Sequence, residues 1–540
     1  MRLLGTLDWI FIALYFLVIF AVAWWSVRQE KSTRQNSNGY FLASRNAGWF
    51  VIGASLFASN IGSEHLVGLA GTGAASGVAV GQFEVMASLI LLILGWVFVP
   101  FYLRSAVYTM PEFLERRYSP EARWYLSIIS IIAYVLTKIS VTIAAGGIVF
   151  ETLMGVDFWT GALIVVIATG IYTVFGGLRA VLYTDMLQMF ILIGGSILLT
   201  VTGLVKLGGV RRLYEIAGSG YFSMWKPVSD PNFPWTGIIF GIPILGVWYW
   251  CTDQFIVQRV LSAKNIENAR RGSIWGGYLK LLPVFIFVIP GVVAHALAKS
   301  GQLTLERPDQ ALPALISVLI PVGLRGLVVA GLLAALMSSL SSVFNSCSTL
   351  ITLDIYKKLQ PKASEKHLVR VGQIATAILV LMGLAWIPFM KLISGQLYQY
   401  LQSVQSYISP PIAAVFLIGV LWPRVNSKGA IASLLTGFVL GMGRLIAELN
   451  KSFLGGWLYR YADINFLHFA VLLFAVCSAV LIIVSLMTQE PSRTQLSGLT
   501  FSTVGRKGET RVSQAGLYKD IILSVILILC VIVVWVVFSG

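Results

Sequence analysis

The stretch SNIGSEHLVGLAGTGAASG, residues 59–77, stands where the surrounding chain predicts a membrane-spanning helix. It contains a glutamate, a histidine, an asparagine, four serine or threonine residues and five glycines. At bilayer depth such a polar, easily unwound backbone is tolerated only where it lines a cavity or is buried in protein. The stretch therefore indicates a fold with a polar interior at membrane depth.

The rest of the chain is strongly apolar, which predicts an all-α polytopic membrane protein. Of its 540 residues, 57% are hydrophobic and 11% are charged, and the mean hydropathy is +0.82. A soluble protein of this length could not bury so much apolar surface. Because about 20 apolar residues span a bilayer, we predict about 14 transmembrane helices. They are expected near residues 8–27, 48–73, 82–103, 124–150, 157–177, 182–205, 235–258, 275–298, 324–352, 371–390, 396–422, 430–448, 465–487 and 520–539.

The net charge of +16 does not indicate nucleic-acid binding, because the basic residues are dispersed between the apolar segments. Most of them lie in the odd-numbered connections, and cytoplasmic loops carry an excess of Lys and Arg. This places the odd connections in the cytoplasm and both termini on the extracytoplasmic side of the plasma membrane. The sequence has no nucleophile–base pair and no cysteine or histidine cluster with metal-ligand spacing, so an enzyme is not expected.

Two of the central segments are interrupted at corresponding positions. Among the ten helices that remain after the first and the last three are set aside, the first (48–73) and the sixth (235–258) carry helix-breaking or polar residues. These are Asn60, Gly62 and Ser63 in the first, and Gly241, Pro243 and Gly246 in the second. Paired interruptions are typical of inverted-repeat transporters, whose binding site lies between the two breaks.

The repeat divides the chain into four regions. Residues 1–47 form an N-terminal flanking helix and loop, and 48–206 and 207–422 form two repeats of five helices each. Residues 423–540 form three flanking helices with a cytoplasmic linker at 488–519. The alternative for the glycine-rich stretch is close helix packing, which accounts for its glycines but not for Glu64 and His65.

Segment 324–352 carries a stripe of small polar residues. At 100° per residue, one face holds Ser338, Ser341, Ser342, Asn345 and Thr349, with Ser339 on its flank. Hydroxyls together with the carbonyls freed by a broken helix can form a neutral oxygen cage for a monovalent cation. The alternative is that these hydroxyls bond to the preceding helical turn or join helices.

Ionisable residues inside membrane segments are candidates for function by default. Here they are Glu64, His65, Glu84, Lys138, Asp185 and Lys280. Beside the second interruption lies Trp248-Tyr249-Trp250, whose flat faces suit the C–H face of a sugar ring. Asn60, Glu84, Lys280 and Gln402 supply the amide and charged partners that sugar hydroxyls need.

Five motifs carry a resemblance to a known family. They are ASNIGSEHLVGLAGTGAASG (58–77), GIYTVFGGLRAVLYTD (170–185), VWYWCTDQFIVQRVLSAKN (247–265), LMSSLSSVFNSCSTLITLDIY (336–356) and YLQSVQSYISPPIAAVF (400–416). Together they resemble the sodium/solute symporter family, and most closely its sodium/glucose cotransporter branch. The resemblance implies a LeuT-like five-plus-five inverted repeat and sodium-driven uptake of a hexose such as glucose or galactose. The absence of the long extracellular loops of animal members points to the bacterial inner membrane.

The resemblance also implies roles for individual residues. The main sodium site would take backbone carbonyls of Ala58, Ile61 and Ala335 and the hydroxyls of Ser338 and Ser339. A second sodium would take Asp185, Ser338 and Ser341, which makes one or two Na+ per sugar. The sugar site would take Asn60, His65, Glu84, Tyr249, Trp250, Lys280 and Gln402. Tyr249 would close its inner side, and Leu69, Phe83 and Tyr398 its outer side.

Other functions stay open on the sequence alone. The solute could be another polyol or a small carboxylate bound by Lys280. The protein could also be a sensor without transport, a channel, or a carrier coupled to protons through Asp185 or Glu84. No nucleic-acid partner and no obligate protein partner are expected.

Overall fold

The computed structural model describes residues 4–28, 45–62, 64–105, 107, 109–305, 307–390, 397–503 and 514–540. Ser63, the side chain of Glu64 and parts of the predicted loops at 29–44 and 504–513 lie outside this set. The described residues hold helices and two isolated β-bridges, with no β-strand among them.

The first half of the described chain forms thirteen α-helices. They are α1 Thr6–Arg28, α2 Trp49–Asn60, α3 Ala70–Ser76, α4 Gln82–Ile93, α5 Val99–Ser105, α6 Met110–Arg117, α7 Pro120–Tyr134, α8 Ser140–Val149, α9 Phe158–Leu207, α10 Val210–Ala217, α11 Trp235–Gly246, α12 Gln254–Leu261 and α13 Ile266–Leu279.

The second half contributes eleven more. They are α14 Ile289–Lys299, α15 Ala311–Leu319, α16 Leu324–Thr349, α17 Lys357–Leu359, α18 Glu365–Met390, α19 Leu397–Leu421, α20 Ser427–Leu449, α21 Gly456–Asp463, α22 Phe466–Leu486, α23 Arg493–Leu496 and α24 Gln514–Val537.

Wider π-helical turns interrupt several of these helices. Three of them, Glu64–Leu69, Val135–Ile139 and Val247–Thr252, contain His65, Lys138 and Tyr249 respectively. Such turns occur often at functional sites, because the extra residue redirects the side chains that follow. Here they bring side chains from three separate segments towards one interior space.

Twelve helices in the described residues are long and apolar enough to cross a membrane. The predicted number of about 14 is therefore not confirmed. Two further apolar helices, Trp49–Asn60 and Phe158–Ile171, are shorter than a full crossing. The first is short because the helix breaks after Asn60.

The predicted interruption at Asn60 and Gly62 is confirmed. Helix α2 ends at Asn60, and Ile61 has extended backbone angles, φ −75° and ψ 94°. The amides of His65 and Leu66 both donate to the Gly62 carbonyl. In a continuous α-helix the His65 amide would donate to Ile61, so the break frees the Ile61 carbonyl from its helical partner.

The predicted position of the second interruption is wrong. Gly241, Pro243 and Gly246 all lie within α11, and the backbone instead becomes extended at Asp253, with φ −78° and ψ 126°. Neighbouring helices tolerate proline inside a membrane helix because they compensate for the lost hydrogen bond. The break occurs at Asp253, whose side chain caps α12 by accepting from the Phe255 amide at 3.2 Å.

The predicted helices 157–177 and 182–205 form one continuous run of helical backbone, α9. The connecting residues Leu178–Val181 contain no proline or glycine, so nothing in them stops helical hydrogen bonding. At 1.5 Å per residue the 50 residues of α9 measure about 75 Å. This is more than twice the roughly 30 Å hydrocarbon core. Within α9, residues Val181–Leu207 are long and apolar enough to cross a membrane.

The serine-bearing helix lies at the centre of the bundle. In the span Leu324–Leu359, 94% of the most apolar window is buried, against 28% for both Thr6–Trp25 and Gly516–Val537. The first and last spans are therefore peripheral. They are still attached to the core: Asp8 of α1 accepts from the amides of Gly323 and Gly326 at 2.8 and 2.7 Å, and so caps α16.

Candidate functional site

All seven residues predicted for the sugar site line one interior cavity. They are Asn60, His65, Glu84, Tyr249, Trp250, Lys280 and Gln402. The cavity offers about 60 Å³ to the centres of water molecules, which is room for about four to six waters. Its walls come from both sides of the helix break and from α4, α11, α13 and α19.

A buried ion pair lies at the centre of this cavity. Lys280, directly after α13, forms a salt bridge with Glu84 of α4, and both side chains are buried. His65 Nε2 lies 3.1 Å from Glu84 Oε1 and 3.5 Å from Lys280 Nζ. A charge at this depth is tolerated only when it is paired and hydrogen-bonded. The trio therefore forms a compact polar cluster with both donors and acceptors.

The cluster continues through Asn60 to the aromatic wall. Lys280 Nζ donates to Asn60 Oδ1, and Asn60 Nδ2 donates to the Tyr249 hydroxyl at 2.9 Å. Lys138 Nζ donates to the same hydroxyl at 2.9 Å and lies 4.6 Å from the centre of the Tyr249 ring. Asn60 is the last residue of α2, so a residue at the helix break is hydrogen-bonded to two cavity-lining residues, Lys280 and Tyr249.

Two aromatic rings, nearly perpendicular to each other, supply the apolar faces of the cavity. Tyr249 and Trp250 lie on the same π-helical turn with ring centroids 5.1 Å apart and planes at 81°. The Lys280 ammonium lies 5.4 Å from the Trp250 ring centroid. The cavity therefore combines apolar faces with hydroxyl, amide, carboxylate and ammonium groups, which are the contacts that a polyhydroxylated ring needs.

Of the predicted gate residues, three line the cavity and one does not. Phe83 and Tyr398 meet edge to face on one side, with centroids 5.7 Å apart, and Tyr249 lies across the cavity. Leu69 is fully buried but does not line the cavity. Its place next to the outer gate is taken by Gly68, where an added Cβ would lie 2.8 Å from the Tyr398 Cβ.

Two smaller cavities adjoin the central one. The first shares Tyr398 and Gln402 with it and includes Phe466. The second shares Lys138 and Gln405 with it. Tyr398 and Gln402 therefore lie between the central cavity and the first of these spaces, and Lys138 and Gln405 lie between it and the second.

The residues predicted for the main sodium site are all buried. Ala58 and Ile61 lie at the end of α2, and the other three, Ala335, Ser338 and Ser339, lie on α16. The Ser339 hydroxyl has no hydrogen-bond partner among the described residues. A buried hydroxyl without a partner is costly, and this one lies on the helix that approaches the break through a bond between Ser342 Oγ and Ser59 Oγ of 2.9 Å.

Asp185 of α9 gathers hydroxyls from two other helices. Its Oδ1 accepts from Ser338 at 2.5 Å, and its Oδ2 accepts from Ser55 at 2.6 Å and Ser59 at 2.9 Å. The predicted pairing of Asp185 with Ser338 is therefore present as a hydrogen bond. Ser341 differs, because its hydroxyl donates to the Ser338 carbonyl at 3.0 Å rather than to Asp185.

Sequence reasoning missed several residues of these two sites. Ser55 and Ser59 bind Asp185. Lys138, which was named as an ionisable candidate but not assigned to the sugar site, lines the cavity. Arg259 Nε donates to Ser59 Oγ at 3.0 Å, which brings a guanidinium to the edge of the Asp185 cluster. Ser55 and Ser59 are four residues apart and so share one face of α2, a signal that could have identified them.

Sequence comparison places this arrangement in a known family. The profile of the Sodium:solute symporter family matches residues 40–437. The chain belongs to this family. Sodium/glucose cotransporter 1 of Oryctolagus cuniculus is 40% identical over 95% of this chain and 84% of its own length. Sodium/myo-inositol cotransporter of Mus musculus is 39% identical over 91% of this chain and 74% of its own length.

Solved structures support the fold of this symporter. A Na+-coupled sialic acid symporter in a substrate-bound outward-open state aligns with a TM-score of 0.77, covering 91% of this chain and 99% of its own at 20% identity. A nucleobase-cation-symport-1 family transporter aligns at 0.56, covering 85% and 97% at 14% identity. The LeuT-like class predicted from the sequence is confirmed. The protein is a transporter rather than an enzyme, sodium is its coupling ion, and its place is a cellular membrane.

Proposed function

We propose that this symporter imports a neutral polyhydroxylated ring, a hexose such as glucose or galactose or a related cyclic polyol, against its gradient. The cavity in which Glu84 and Lys280 are paired carries this proposal. Relatives across nearly the whole chain are named sodium/glucose and sodium/myo-inositol cotransporters. The predicted residues Asn60, His65 and Gln402 supply further polar groups, and Tyr249 and Trp250 supply the apolar face.

The engagement of Lys280 supports a neutral solute over a carboxylate bound at that ammonium. A carboxylate would need an ammonium free to bind it, whereas Lys280 is already engaged by Glu84 and Asn60. Hydroxyl groups can instead insert into this network, donating to Glu84 and accepting from Lys280. The small free volume of the described state is consistent with a solute that enters by separating these side chains.

The coupling mechanism follows from the shared helix break. A sodium ion held by Ala58, Ile61, Ala335, Ser338 and Ser339 would join the end of α2 to α16. Asn60 lies at the same break and donates to Tyr249, so fixing the break also fixes one wall of the solute cavity. Sodium would thereby raise solute affinity, and solute would raise sodium affinity by the same factor.

A second sodium at Asp185, Ser338 and Ser341 is part of the proposal. Asp185 supplies the one carboxylate among the proposed sodium ligands. Its hydrogen bonds to serines of α2 and α16 place it where α2, α9 and α16 meet. Each unit charge moved across about 100 mV contributes about 2.3 kcal/mol, so two ions drive steeper accumulation than one. Since the Ser341 hydroxyl is bonded to the Ser338 carbonyl, it must turn to act as a ligand.

The test is flux in proteoliposomes with an inward sodium gradient and a potassium control. Labelled glucose, galactose and myo-inositol are compared, and charge moved per solute is recorded. We expect sodium-dependent uptake that Ser339→Ala lowers through sodium affinity and Gln402→Ala through solute affinity. Ser348→Ala is the matched control on α16, because its hydroxyl bonds to the Gly372 carbonyl outside the site.

Other outcomes would overturn parts of the proposal. Uptake indifferent to sodium would favour proton coupling or a channel, and solute binding without flux would favour a sensor. Sodium-driven uptake of a carboxylate alone would contradict the solute class. We expect Asp185→Asn to lower the charge moved per solute from about two to about one. An unchanged ratio of charge to solute in this variant would contradict a second sodium site at Asp185.

We also propose that the protein is a bacterial inner-membrane protein with both termini outside the cytoplasm. The distribution of basic residues supports this orientation. Each end of the chain also contacts a connecting segment between helices. Gly5 lies against Val322, just before α16, and Phe538 bonds to Met224 in the segment after α10.

A further inference from the structure

The last helix of the chain lies across the two helices that carry the buried ion pair. Near its start, Asp520 of α24 accepts from Arg271 Nε at 3.0 Å. In its middle, Leu527 is fully buried at Gly277 of α13, where an added Cβ would lie 2.6 Å from a Leu527 methyl. The Gly277 carbonyl accepts from Ser88 of α4 at 2.9 Å. Helices α4 and α13, which hold Glu84 and precede Lys280, therefore contact α24 together.

The far end of α24 reaches the first turn of α4. Trp535 Nε1 donates to Gln82 Oε1 at 2.8 Å, and the Gln82 side chain is completely buried. Gln82 Nε2 also approaches the Met224 carbonyl at 3.5 Å, and the Met224 amide donates to the Phe538 carbonyl at 2.8 Å. These contacts join the end of the chain to the residue that begins α4.

Gln82 is directly followed by two residues of the solute site. Phe83 packs against Tyr398 as a predicted outer gate, and Glu84 pairs with Lys280. Helix α4 continues directly from the 3₁₀ turn Gly77–Gly81, and the Gln82 amide donates to the Ala79 carbonyl of that turn. The contacts of the Gln82 side chain therefore lie at the junction between two helical geometries. The Gly81 position before α4 supplies no side-chain cap. A fixed Gln82 side chain is therefore well placed to hold the direction of the two residues after it.

We infer that Trp535 and Gln82 are positioning residues that set the affinity for the solute by fixing the first turn of α4. The inference rests on the proposed function, since it gives the last helix a part in the solute site described there. Trp535 touches neither solute nor cavity, and it acts through Gln82 on Phe83 and Glu84. The outward face of α24 is apolar and suits contact with lipid, with Val533 and Val536 60% and 68% exposed. A helix that served only as a membrane anchor would need this face and not the bond to Gln82.

The first test compares Trp535→Phe with Trp96→Phe. Both changes keep an aromatic ring and remove one indole donor, and Trp96 Nε1 bonds to Ser524 at the other end of α24 at 3.0 Å. We expect Trp535→Phe to raise the apparent KM for solute about two- to tenfold, the loss of one buried hydrogen bond. We expect the maximal rate per folded transporter in Trp535→Phe to stay near that of the unchanged protein. The KM of Trp96→Phe should also stay near the unchanged value.

A second variant separates positioning from folding. Gln82→Leu removes the acceptor, so the double variant Trp535→Phe/Gln82→Leu leaves neither partner unpaired. We expect its KM to equal that of a single variant rather than the product of the two effects. A purely structural role would lower the yield of folded transporter in each variant and leave KM unchanged. That result would overturn the inference.

A measurement without solute keeps this inference distinct from the proposed function. Hydrogen exchange of the amides of residues 82–86 in the purified protein should be faster in Trp535→Phe than in Trp96→Phe. If the unchanged protein takes up none of the tested polyols, the proposed function fails, and the exchange rates still test the contact. If uptake is present but both KM and exchange are unaltered in Trp535→Phe, the positioning role is wrong.

Discussion

At the scale of single residues, the pairing of Glu84 with Lys280 determines much of the site. Both groups are buried among helices, so each stabilises the charge of the other. Removing one partner of a buried pair typically costs about 3–5 kcal/mol, because the remaining charge is uncompensated. Removing both is far less costly. The stability of the fold therefore depends on this pair, and the proposed solute site also uses it. Experiment can separate these two roles.

We predict that Glu84→Gln and Lys280→Met each lower the thermal unfolding temperature of the detergent-solubilised protein. The double variant should unfold at a higher temperature than either single variant, since no unpaired charge is left. It should still fail to transport, because the solute's polar partners are gone. A double variant that is less stable than both singles would contradict this account of the pair.

Single residues also show how far sequence reasoning reached. The resemblance named every one of the seven proposed solute residues, and all of them line one cavity. It did not identify Ser55, Ser59 or Arg259 around Asp185, because their roles depend on which face of α2 and α12 meets α9. The spacing of Ser55 and Ser59 shows that they share a face of α2, but the packing of three helices decides which partner that face meets.

At the scale of elements, the helix break after Asn60 is the central feature. Polar residues and Gly62 predict it, because glycine weakens the helix and the polar groups need partners at bilayer depth. The second break was misplaced, since a proline within α11 is compatible with a helix supported by its neighbours. The actual break lies at Asp253, directly after the π-helical turn Val247–Thr252, and the Asp253 side chain caps the next helix. Hydropathy alone reveals neither the turn nor the cap.

The close approach of the π-helical turn Glu64–Leu69 to the outer gate gives an element-scale prediction. An added methyl group at Gly68 would press on Tyr398, whose backbone nitrogen would lie only 3.0 Å away. We expect Gly68→Ala to slow solute turnover several-fold while sodium dependence persists, as measured by initial uptake rates. Gly194→Ala is the control, because nothing lies within 4 Å of its added Cβ. Equal rates in the two variants would argue against Tyr398 as a gate.

At the scale of the whole molecule, peripheral helices hold the core from both ends of the chain. Asp8 of α1 caps α16, which carries the predicted sodium ligands. Trp535 of α24 holds α4, which carries Glu84. The flanking helices therefore reach the helices of both predicted sites through a few polar contacts, although most of their surface faces outward.

The proposed orientation is a prediction at this scale. We expect a C-terminal alkaline phosphatase fusion to be active, since that enzyme folds only outside the cytoplasm, and a fusion within the linker 488–519 to be inactive. A fluorescent-protein fusion, which matures in the cytoplasm, should give the opposite pattern. An inactive C-terminal phosphatase would reverse the assigned sides.

The sequence by itself determined the class, the family and most of the candidate residues. Apolar segments of bilayer length, basic loops and five long motifs are local patterns. Such patterns can be recognised in the sequence without knowledge of the fold. Only the tertiary structure decided the partners: Glu84 with Lys280, Asp185 with two serines of α2, and Trp535 with Gln82. These contacts join residues more than a hundred positions apart, and a buried polar group is costly unless it has such a partner.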